Sequence, residues 1–373
     1  MANLKRFDVH EMFGHVAKFG QRWPCVHREQ QVSTEFFVIP RYNACVRANS
    51  RSIDFFFHYL HRVHSLRSKA FHQVLKAACK APFIRKLLIK MGVVEEVVQT
   101  GPYTGVDWSQ IDVLFAEWHF VGAFSGENGE VAHVLGFPEF RKRLERELNA
   151  RSELRDVIPI PETKQSFLDA PAGWVEQIVG SKKGQLIEKK DYERAQKMLL
   201  NSYWRLSHKA DPEVYLRRLI TQIYDRYDEP EKTLPALEEL IRHAQILTSH
   251  IGDRKITLGR THGDFKPSQL LIDESEIYII DWSESTHTWI VHDLIDILIS
   301  KDVFSFNEYR MPGHIEVLFE GLQFELKEVP LQLPFVITLL EIAVRQHVVF
   351  SEGRGPIKRW KKAAENVLNH VLA

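Results

Sequence analysis

The feature that most constrains this 373-residue chain is a polar loop that leads into a short apolar hairpin. Two apolar runs, 270–272 and 277–280, flank a polar turn of four residues, which is the pattern of two short paired strands. Pairing of these strands would bring Asp264, before the first strand, close to Asp281, after the second. The sequence therefore predicts that two carboxylates 17 positions apart share one site.

Two carboxylates in one site suit the chemistry of phosphoryl transfer. One of them can orient or deprotonate a hydroxyl group, and the other can hold Mg²⁺ on the phosphates of a nucleotide. The alternative interpretation is structural, because a loop carboxylate often accepts a hydrogen bond from a nearby amide and an acid after a strand often caps a helix.

Composition and charge limit the classes of protein to which this chain can belong. Hydrophobic residues make up 44% of the chain, which is enough for a packed core. The formal net charge is zero, so charge gives no reason to expect a nucleic-acid partner. No apolar run is long enough to span a bilayer, and the first residues do not resemble a targeting peptide. The three widely spaced cysteines are typical of reduced thiols, so we expect a cytoplasmic protein.

Hydrophobic patterns divide the chain into three predicted segments. Residues 1–100 are expected to form a basic helical N-terminal extension. Residues 101–180 are expected to form a small β-rich lobe, and residues 181–373 a helical lobe that carries the polar loop and the hairpin. A glycine-containing stretch at 180–184 is the predicted hinge between these lobes.

Within the β-rich lobe, two strands are predicted at 119–124 and 131–135, joined by a turn that contains two glycines. A charged helix is predicted from 140 to about 154, and a further strand at 174–179. This order of elements is typical of a small, mostly antiparallel sheet with one helix.

Residues 51–90 carry many basic side chains beside a set of apolar ones. One interpretation is a basic helical segment that packs on the body of the protein. The other is an amphipathic surface that touches anionic lipid or a polyanionic partner.

The polar loop and the hairpin also carry a resemblance. The triplet His262–Asp264, the polar Gln269 five positions after Asp264, and the triplet Ile280–Trp282 together resemble the aminoglycoside phosphotransferase and choline kinase branch of the protein-kinase-like fold. The resemblance implies an α+β, two-lobe fold with a small antiparallel-sheet N-lobe and a large helical C-lobe. It also implies ATP and Mg²⁺ as cofactors, and transfer to a hydroxyl of a small molecule such as a sugar, a glycoside or an amino alcohol.

The same resemblance assigns roles to residues of the loop and the hairpin. It implies that Asp264 is the catalytic base and that Asp281 and Gln269 are ligands of Mg²⁺, with Gln269 where most of the family has Asn. It implies that Lys266 lies near the γ-phosphate, although a solvated loop lysine is the alternative. Asp293 is expected to brace the loop backbone or a nearby basic side chain.

The resemblance is weaker in the β-rich lobe. Kinase-like lobes place a lysine on the third strand, paired with a glutamate of the next helix, and the run 131–135 has no lysine. The substitutes in this sequence are His133 or Lys142 for the lysine and Glu147 for the glutamate. Glu176, on the last strand before the hinge, falls where such folds contact adenine.

The missing lysine leaves a second functional hypothesis open. The chain would then be a catalytically impaired kinase-like binding or scaffold protein, and it resembles kinase-like proteins linked to surface-polysaccharide synthesis. A protein kinase is disfavoured, because Trp282 follows the metal-site aspartate and no activation segment separates Asp281 from Asp293.

Overall fold

The structure is a computed structural model. The described residues are 9–24, 26, 34–57, 66–99, 105–116, 120–136, 140–179, 182–183, 187–303, 315–327, 329–346, 350 and 356–370. Most of the predicted hinge at 180–184 lies outside them.

An antiparallel sheet forms the first lobe, called the sheet lobe below. Its strands are β1 (Thr34–Ile39), β2 (Ala44–Arg47), β3 (Glu95–Gln99), β4 (Val113–Ala116), β5 (Phe120–Ser125), β6 (Glu130–Leu135), β7 (Thr163–Phe167) and β8 (Gly173–Gln177). Within the described residues, these eight strands lie in the order β3-β1-β2-β4-β5-β6-β8-β7. All the pairs between neighbours are antiparallel.

Both faces of this sheet are covered, because successive side chains of a strand point to opposite faces. In β1, Phe36 and Val38 pack in a cluster with helix α1 (Val9–Gly20). Phe37 and Ile39 enter the cluster on the opposite face. The second face is covered by α2 (Ser50–Phe55), α3 (Leu66–Lys80) and α4 (Pro82–Lys90).

The first 100 residues therefore differ from the helical extension that the sequence indicates. The expected helices are present, but β1, β2 and β3 also come from this segment and extend the sheet. The boundary proposed at residue 101 thus falls inside the sheet lobe. Strands buried on both faces read as continuous apolar runs, as in β1, so the alternation that reveals a half-buried strand is missing.

The elements predicted for 101–180 are found close to their predicted bounds. They are the strands β5, β6 and β8 and the helix α5 (Arg141–Leu154). On α5, Leu144 packs with Leu135 of β6 and Trp174 of β8. This contact places the inner side of α5 against the sheet, next to the second lobe.

The second lobe, called the helical lobe below, shares one large apolar core. Its helices are α6 (Lys189–Arg205), α7 (Pro212–Arg226), α8 (Pro230–Thr233), α9 (Leu237–Ser249), α10 (His292–Ser300), α11 (Glu316–Lys327), α12 (Leu333–Arg345) and α13 (Pro356–His370). Its short strands are β9 (Lys182–Lys183), β10 (His208–Ala210), β11 (Ile256–Thr261), β12 (Leu270–Asp273), β13 (Glu276–Ile279) and β14 (Thr286–Trp289). The α+β, two-lobe architecture expected from the sequence is confirmed.

Two of the three thiols lie within the described residues. Cys45 and Cys79 are buried and free, and burial raises the pKa of Cys45 to about 12. Cys25 lies outside the described residues. Among the described helices, none combines the length and the apolar composition that a membrane crossing requires.

Candidate active site

The predicted hairpin forms and brings three polar residues together. β12 and β13 pair with Leu270 opposite Ile279, and the N–H of Ile280 donates to the carbonyl of Gln269 at 2.9 Å. Gln269 precedes β12 and Asp281 follows β13, so their side chains lie side by side. Gln269 Nε2 donates to Asp281 Oδ2 at 2.8 Å and lies 3.4 Å from Asp264 Oδ2. The two carboxylates therefore converge on one amide.

Lys266 lies on the solvent side of this group. Its Nζ forms an ion pair with Oδ2 of Asp264, and both side chains are partly exposed. The carbonyl of Lys266 accepts from the N–H of Gln269 at 2.8 Å, which closes a 3-10 turn between them. The ammonium group is thus held beside the carboxylate that the sequence analysis assigns as the base.

Asp293, in the first turn of α10, fixes the backbone of the loop. Its two carboxylate oxygens accept from the N–H groups of His262 at 2.7 Å and Gly263 at 2.6 Å. The hydroxyl of Tyr203 donates to the same carboxylate at 2.5 Å. Asp293 is buried, so these bonds are shielded from water. The predicted contact of Asp293 with the loop backbone is confirmed.

His262 connects the loop to the segment after β13. Its Nε2 lies 2.9 Å from the carbonyl of Ile280, and its Nδ1 faces the N–H of Asp264 at 3.4 Å. These partners assign a neutral ring that donates from Nε2 and accepts at Nδ1. The ring also packs on Trp282, with the centroids 4.6 Å apart. The imidazole is therefore occupied in holding the two segments together.

Asp281 has an unusual backbone conformation that directs its carboxylate. Its φ of 64° is left-handed, a region that Asp tolerates better than most residues. The hydroxyl of Ser283 donates to Asp281 Oδ1 at 2.9 Å, and Trp282 Nε1 donates to the carbonyl of Ile279 at 2.9 Å. One carboxylate oxygen is thus fixed by Ser283 and the other by Gln269.

The candidates in the sheet lobe form a separate buried cluster. His133 Nε2 lies 2.8 Å from Glu176 Oε1, and its ring stacks on Trp174 with the centroids 4.3 Å apart. Glu147 pairs with Arg151 of its own helix at 2.6 Å, and Arg151 also reaches Glu176 at 2.6 Å. His133 and Glu147 are therefore joined through Glu176 and Arg151 and do not form the strand–helix pair considered in the sequence analysis.

Burial and the charge of Arg151 shift the pKa values of the two glutamates in this cluster. Burial alone would raise the pKa of Glu176, but Arg151 and His133 outweigh it and lower that pKa to about 2. The pKa of Glu147 is raised, because the effect of burial is larger than the opposing effect of the Arg151 charge. The negative charge of Asp281 raises the pKa of Glu147 further. Asp281 thus acts electrostatically on the cluster of the sheet lobe. Lys142, the other cation considered, is exposed.

A group of arginines that the sequence analysis missed ties the two lobes together at the site. Arg143 of α5 forms an ion pair with Glu284, and Arg345 Nε of α12 lies 3.3 Å from the same carboxylate. Arg146 Nε donates to the carbonyl of Ser283 at 2.8 Å. Burial lowers the pKa of Arg146 to about 10, although the charge of Glu284 acts in the opposite direction. These contacts fix α5 against the segment that carries Asp281.

The oxygen-donor set fits a magnesium ion held together with a nucleotide. Asp264 and Asp281 supply carboxylate oxygens, and rotation of the Gln269 amide would present its oxygen. Mg²⁺ in kinases uses one or two carboxylates and takes further ligands from water and phosphates. The described residues contain no group of three or more His, Cys, Asp and Glu placed to hold a metal.

Solved structures with similar folds include one kinase and two phosphotransferases. Choline kinase LicA from Streptococcus pneumoniae is similar over 68% of this chain and 91% of its own, at 14% identity and a TM-score of 0.46. A thermostable mutant of the aminoglycoside phosphotransferase APH(4)-Ia matches over 76% and 96%, at 12% identity and a TM-score of 0.45. The macrolide 2′-phosphotransferase MphH from Brachybacterium faecium matches over 66% and 88%, at 13% identity and a TM-score of 0.42.

The comparison of sequences finds one family model that matches part of the chain. A search of curated proteins finds no significant match. Residues 193–315 match the phosphotransferase enzyme family, and this range contains the loop, the hairpin and the first turn of α10. The resemblance found in the sequence is confirmed by this match. Over residues 193–315, the chain is therefore similar to the phosphotransferase enzyme family.

Proposed function

We propose that the protein is an ATP- and Mg²⁺-dependent phosphotransferase that acts on a hydroxyl of a small molecule, a sugar, a glycoside or an amino alcohol. The observation that carries the proposal is the convergence of Asp264 and Asp281 on the amide of Gln269. Three groups with the roles of base and metal ligands then lie within one hydrogen-bonded unit.

In this proposal, Asp264 accepts a hydrogen bond from the acceptor hydroxyl and aims its oxygen at the γ-phosphorus of ATP. The new O–P bond forms as the bond between the γ-phosphorus and the β,γ-bridging oxygen breaks, ADP leaves, and the hydroxyl proton passes to Asp264. Lys266, paired with Asp264, supplies positive charge beside the transferred group. Asp281 and Gln269 would hold Mg²⁺, which neutralises phosphate charge when it is bound.

The test is a set of sugars and amino alcohols assayed for Mg²⁺-dependent release of ADP, followed by substitution. Asp264→Asn should lower turnover of an identified substrate roughly 10²- to 10⁴-fold, because general base catalysis typically contributes that much. The matched control is Asp273→Asn, which removes an exposed carboxylate at the end of β12. Equal turnover of the Asp264→Asn variant and the wild type would show that Asp264 is not the base.

A second candidate function is a catalytically impaired kinase-like binding or scaffold protein, of the kind linked to surface-polysaccharide synthesis. It is favoured by the position of His133, which stacks on Trp174 and pairs with Glu176 where a kinase-like strand would present a lysine to phosphates. Thermal unfolding with ATP and Mg²⁺ separates the two candidates. A nucleotide present at a hundredfold excess over its dissociation constant stabilises the folded state by roughly 2–3 kcal/mol. No shift at millimolar nucleotide would favour the impaired protein.

The remaining expectations stay predictions beside this proposal. They are a cytoplasmic location, the use of Glu147, His133 and Glu176 in nucleotide binding, and a contact of the basic segment 51–90 with anionic lipid or a polyanion.

A further inference from the structure

Helix α4 presents an apolar face to solvent. None of its residues is buried. Phe83 is 85% exposed, Leu87 52% and Ile84 44%, and Met91, which caps the helix, is 65% exposed. Scattered exposed apolar residues are ordinary on protein surfaces, but four large ones within nine positions form a continuous patch.

These four side chains lie on one side of the helix. At 3.6 residues per turn, Phe83, Leu87, Met91 and Ile84 fall within an arc of roughly 100°. We call this arc the α4 apolar face. Lys86 and Lys90 project along one edge of it, within roughly 60° of Phe83 by the same geometry. An apolar arc bordered by lysines is the arrangement of a helix that lies in a membrane interface.

The chain segment that contains α4 is positively charged, although Arg85 acts on the carboxylate of Glu35 in β1. Residues 66–94 contain seven Lys and Arg and no Asp or Glu. In α3, Lys76 and Lys80 share the single carboxylate of Asp54, at 2.8 and 2.6 Å. Lys86 and Lys90 have no ion pair with any residue in the described part of the chain. Their charges are therefore directed at solvent beside the α4 apolar face.

The fold holds this helix in place. Pro82 begins α4 at a position that needs no N–H, and Gly92, with a φ of 67°, ends it. Leu88 and Ile89 pack against the apolar cluster beneath the sheet. The opposite side of α4 is thus anchored, so the apolar face is presented on a preformed element.

We propose that the α4 apolar face docks the protein on the surface of a membrane that contains anionic lipid. The helix would lie parallel to the surface, with Phe83, Leu87 and Met91 among the acyl chains and the lysines at the phosphate groups. A span is excluded for α4 because its nine residues reach only about 14 Å. The lysines favour lipid over an apolar protein partner, which would have to provide matching acids. This inference narrows the predicted lipid contact of segment 51–90 to α4 and does not depend on the proposed phosphotransferase activity.

The experiment is co-sedimentation of the full chain with vesicles of phosphatidylcholine alone or mixed with phosphatidylglycerol, at low and high salt. We expect binding to the mixed vesicles that weakens with salt. Lys86→Glu combined with Lys90→Glu should weaken binding at least roughly 25-fold, about fivefold for each lysine lost. Phe83→Asp should reduce binding to background while the far-UV circular dichroism stays unchanged.

Matched controls use exposed residues elsewhere. Phe324→Asp replaces a phenylalanine of α11 that is 67% exposed, and Lys197→Glu combined with Lys327→Glu reverses two other exposed lysines. Both controls should bind as the wild type does. The proposal fails if mixed vesicles do not bind the chain, or if the α4 variants bind as tightly as the controls. Absence of vesicle binding together with a dimer in light scattering, which Phe83→Asp dissociates, would show that the α4 apolar face binds a second copy of the chain.

Discussion

Gly263, in the loop before Asp264, is a position where we expect an alanine to be strongly destabilising. Its φ of 86° is left-handed, and a Cβ placed on it would lie 2.4 Å from the carbonyl oxygen of Glu284 and 2.8 Å from Nη1 of Arg345. Neither neighbour can move easily. The first is backbone, and the second belongs to a buried guanidinium that also lies 2.7 Å from His292 Nε2. Gly263→Ala should therefore be costly.

The cost has two parts. A left-handed backbone costs an alanine about 1–2 kcal/mol. Overlap with fixed neighbours in a packed interior typically costs a further 1–3 kcal/mol, so we expect a total of about 3 kcal/mol. Gly252 serves as the control for the backbone cost alone, because its φ is 65° and a Cβ on it would have no heavy atom within 4 Å. Gly252→Ala should cost about 1 kcal/mol.

Urea unfolding followed by tryptophan fluorescence and far-UV circular dichroism measures both variants against the wild type. The free energy of unfolding should fall about 2 kcal/mol further for Gly263→Ala than for Gly252→Ala, at an unchanged m-value. If the two variants lose the same stability, the close approach of Gly263 to Glu284 and Arg345 is not present in the folded protein.

Two further predictions concern buried carboxylates. Asp293→Ala should lower the free energy of unfolding by about 3 kcal/mol, because it leaves two buried N–H groups unpaired, whereas Tyr203→Phe should cost only about 1 kcal/mol. Equal losses in urea unfolding would contradict this reasoning. Glu176 has a pKa lowered from 4.5 to about 2, so its stabilising effect is present above pH 4.5 and is lost as the pH falls toward 2. Between pH 6 and pH 3 this carboxylate should account for about 2 kcal/mol of lost stability. Glu176→Gln should remove that part of the pH dependence, and the exposed Glu238→Gln should not.

The centre of the candidate site could be predicted because its signals are local. The hairpin needs only two short apolar runs and a polar turn, and its pairing fixes where the residues before and after it lie. The positions of Gln269 and Asp281 follow from that register. Asp293 also lies close in sequence, in the first turn of the next helix, where its carboxylate meets the loop.

The contacts that join the lobes could not be predicted because they depend on packing between distant segments. Glu284 receives Arg143 from α5 and Arg345 from α12, which are separated by about 200 positions in sequence. No short-range pattern marks either arginine as a partner of Glu284. The same reason applies to β1 and β3, whose pairing joins residues about 60 positions apart and gives no hairpin signal.

In the sheet lobe, an arginine of α5 stands beside Glu147, where kinase-like folds have a lysine from a strand. The family resemblance implies a cation on the third strand that faces a glutamate of the next helix. In the structure the cation beside Glu147 comes from the helix itself, because Arg151 lies one turn further along α5 and on the same side. The packing of α5 on the sheet brings Arg151 to Glu176 as well, so one guanidinium serves two carboxylates. A guanidinium engaged in this way is not free to meet phosphates. Nucleotide binding would then depend on Lys266 and on metal held at Asp281, which is why the unfolding experiment with ATP needs Mg²⁺ present and absent.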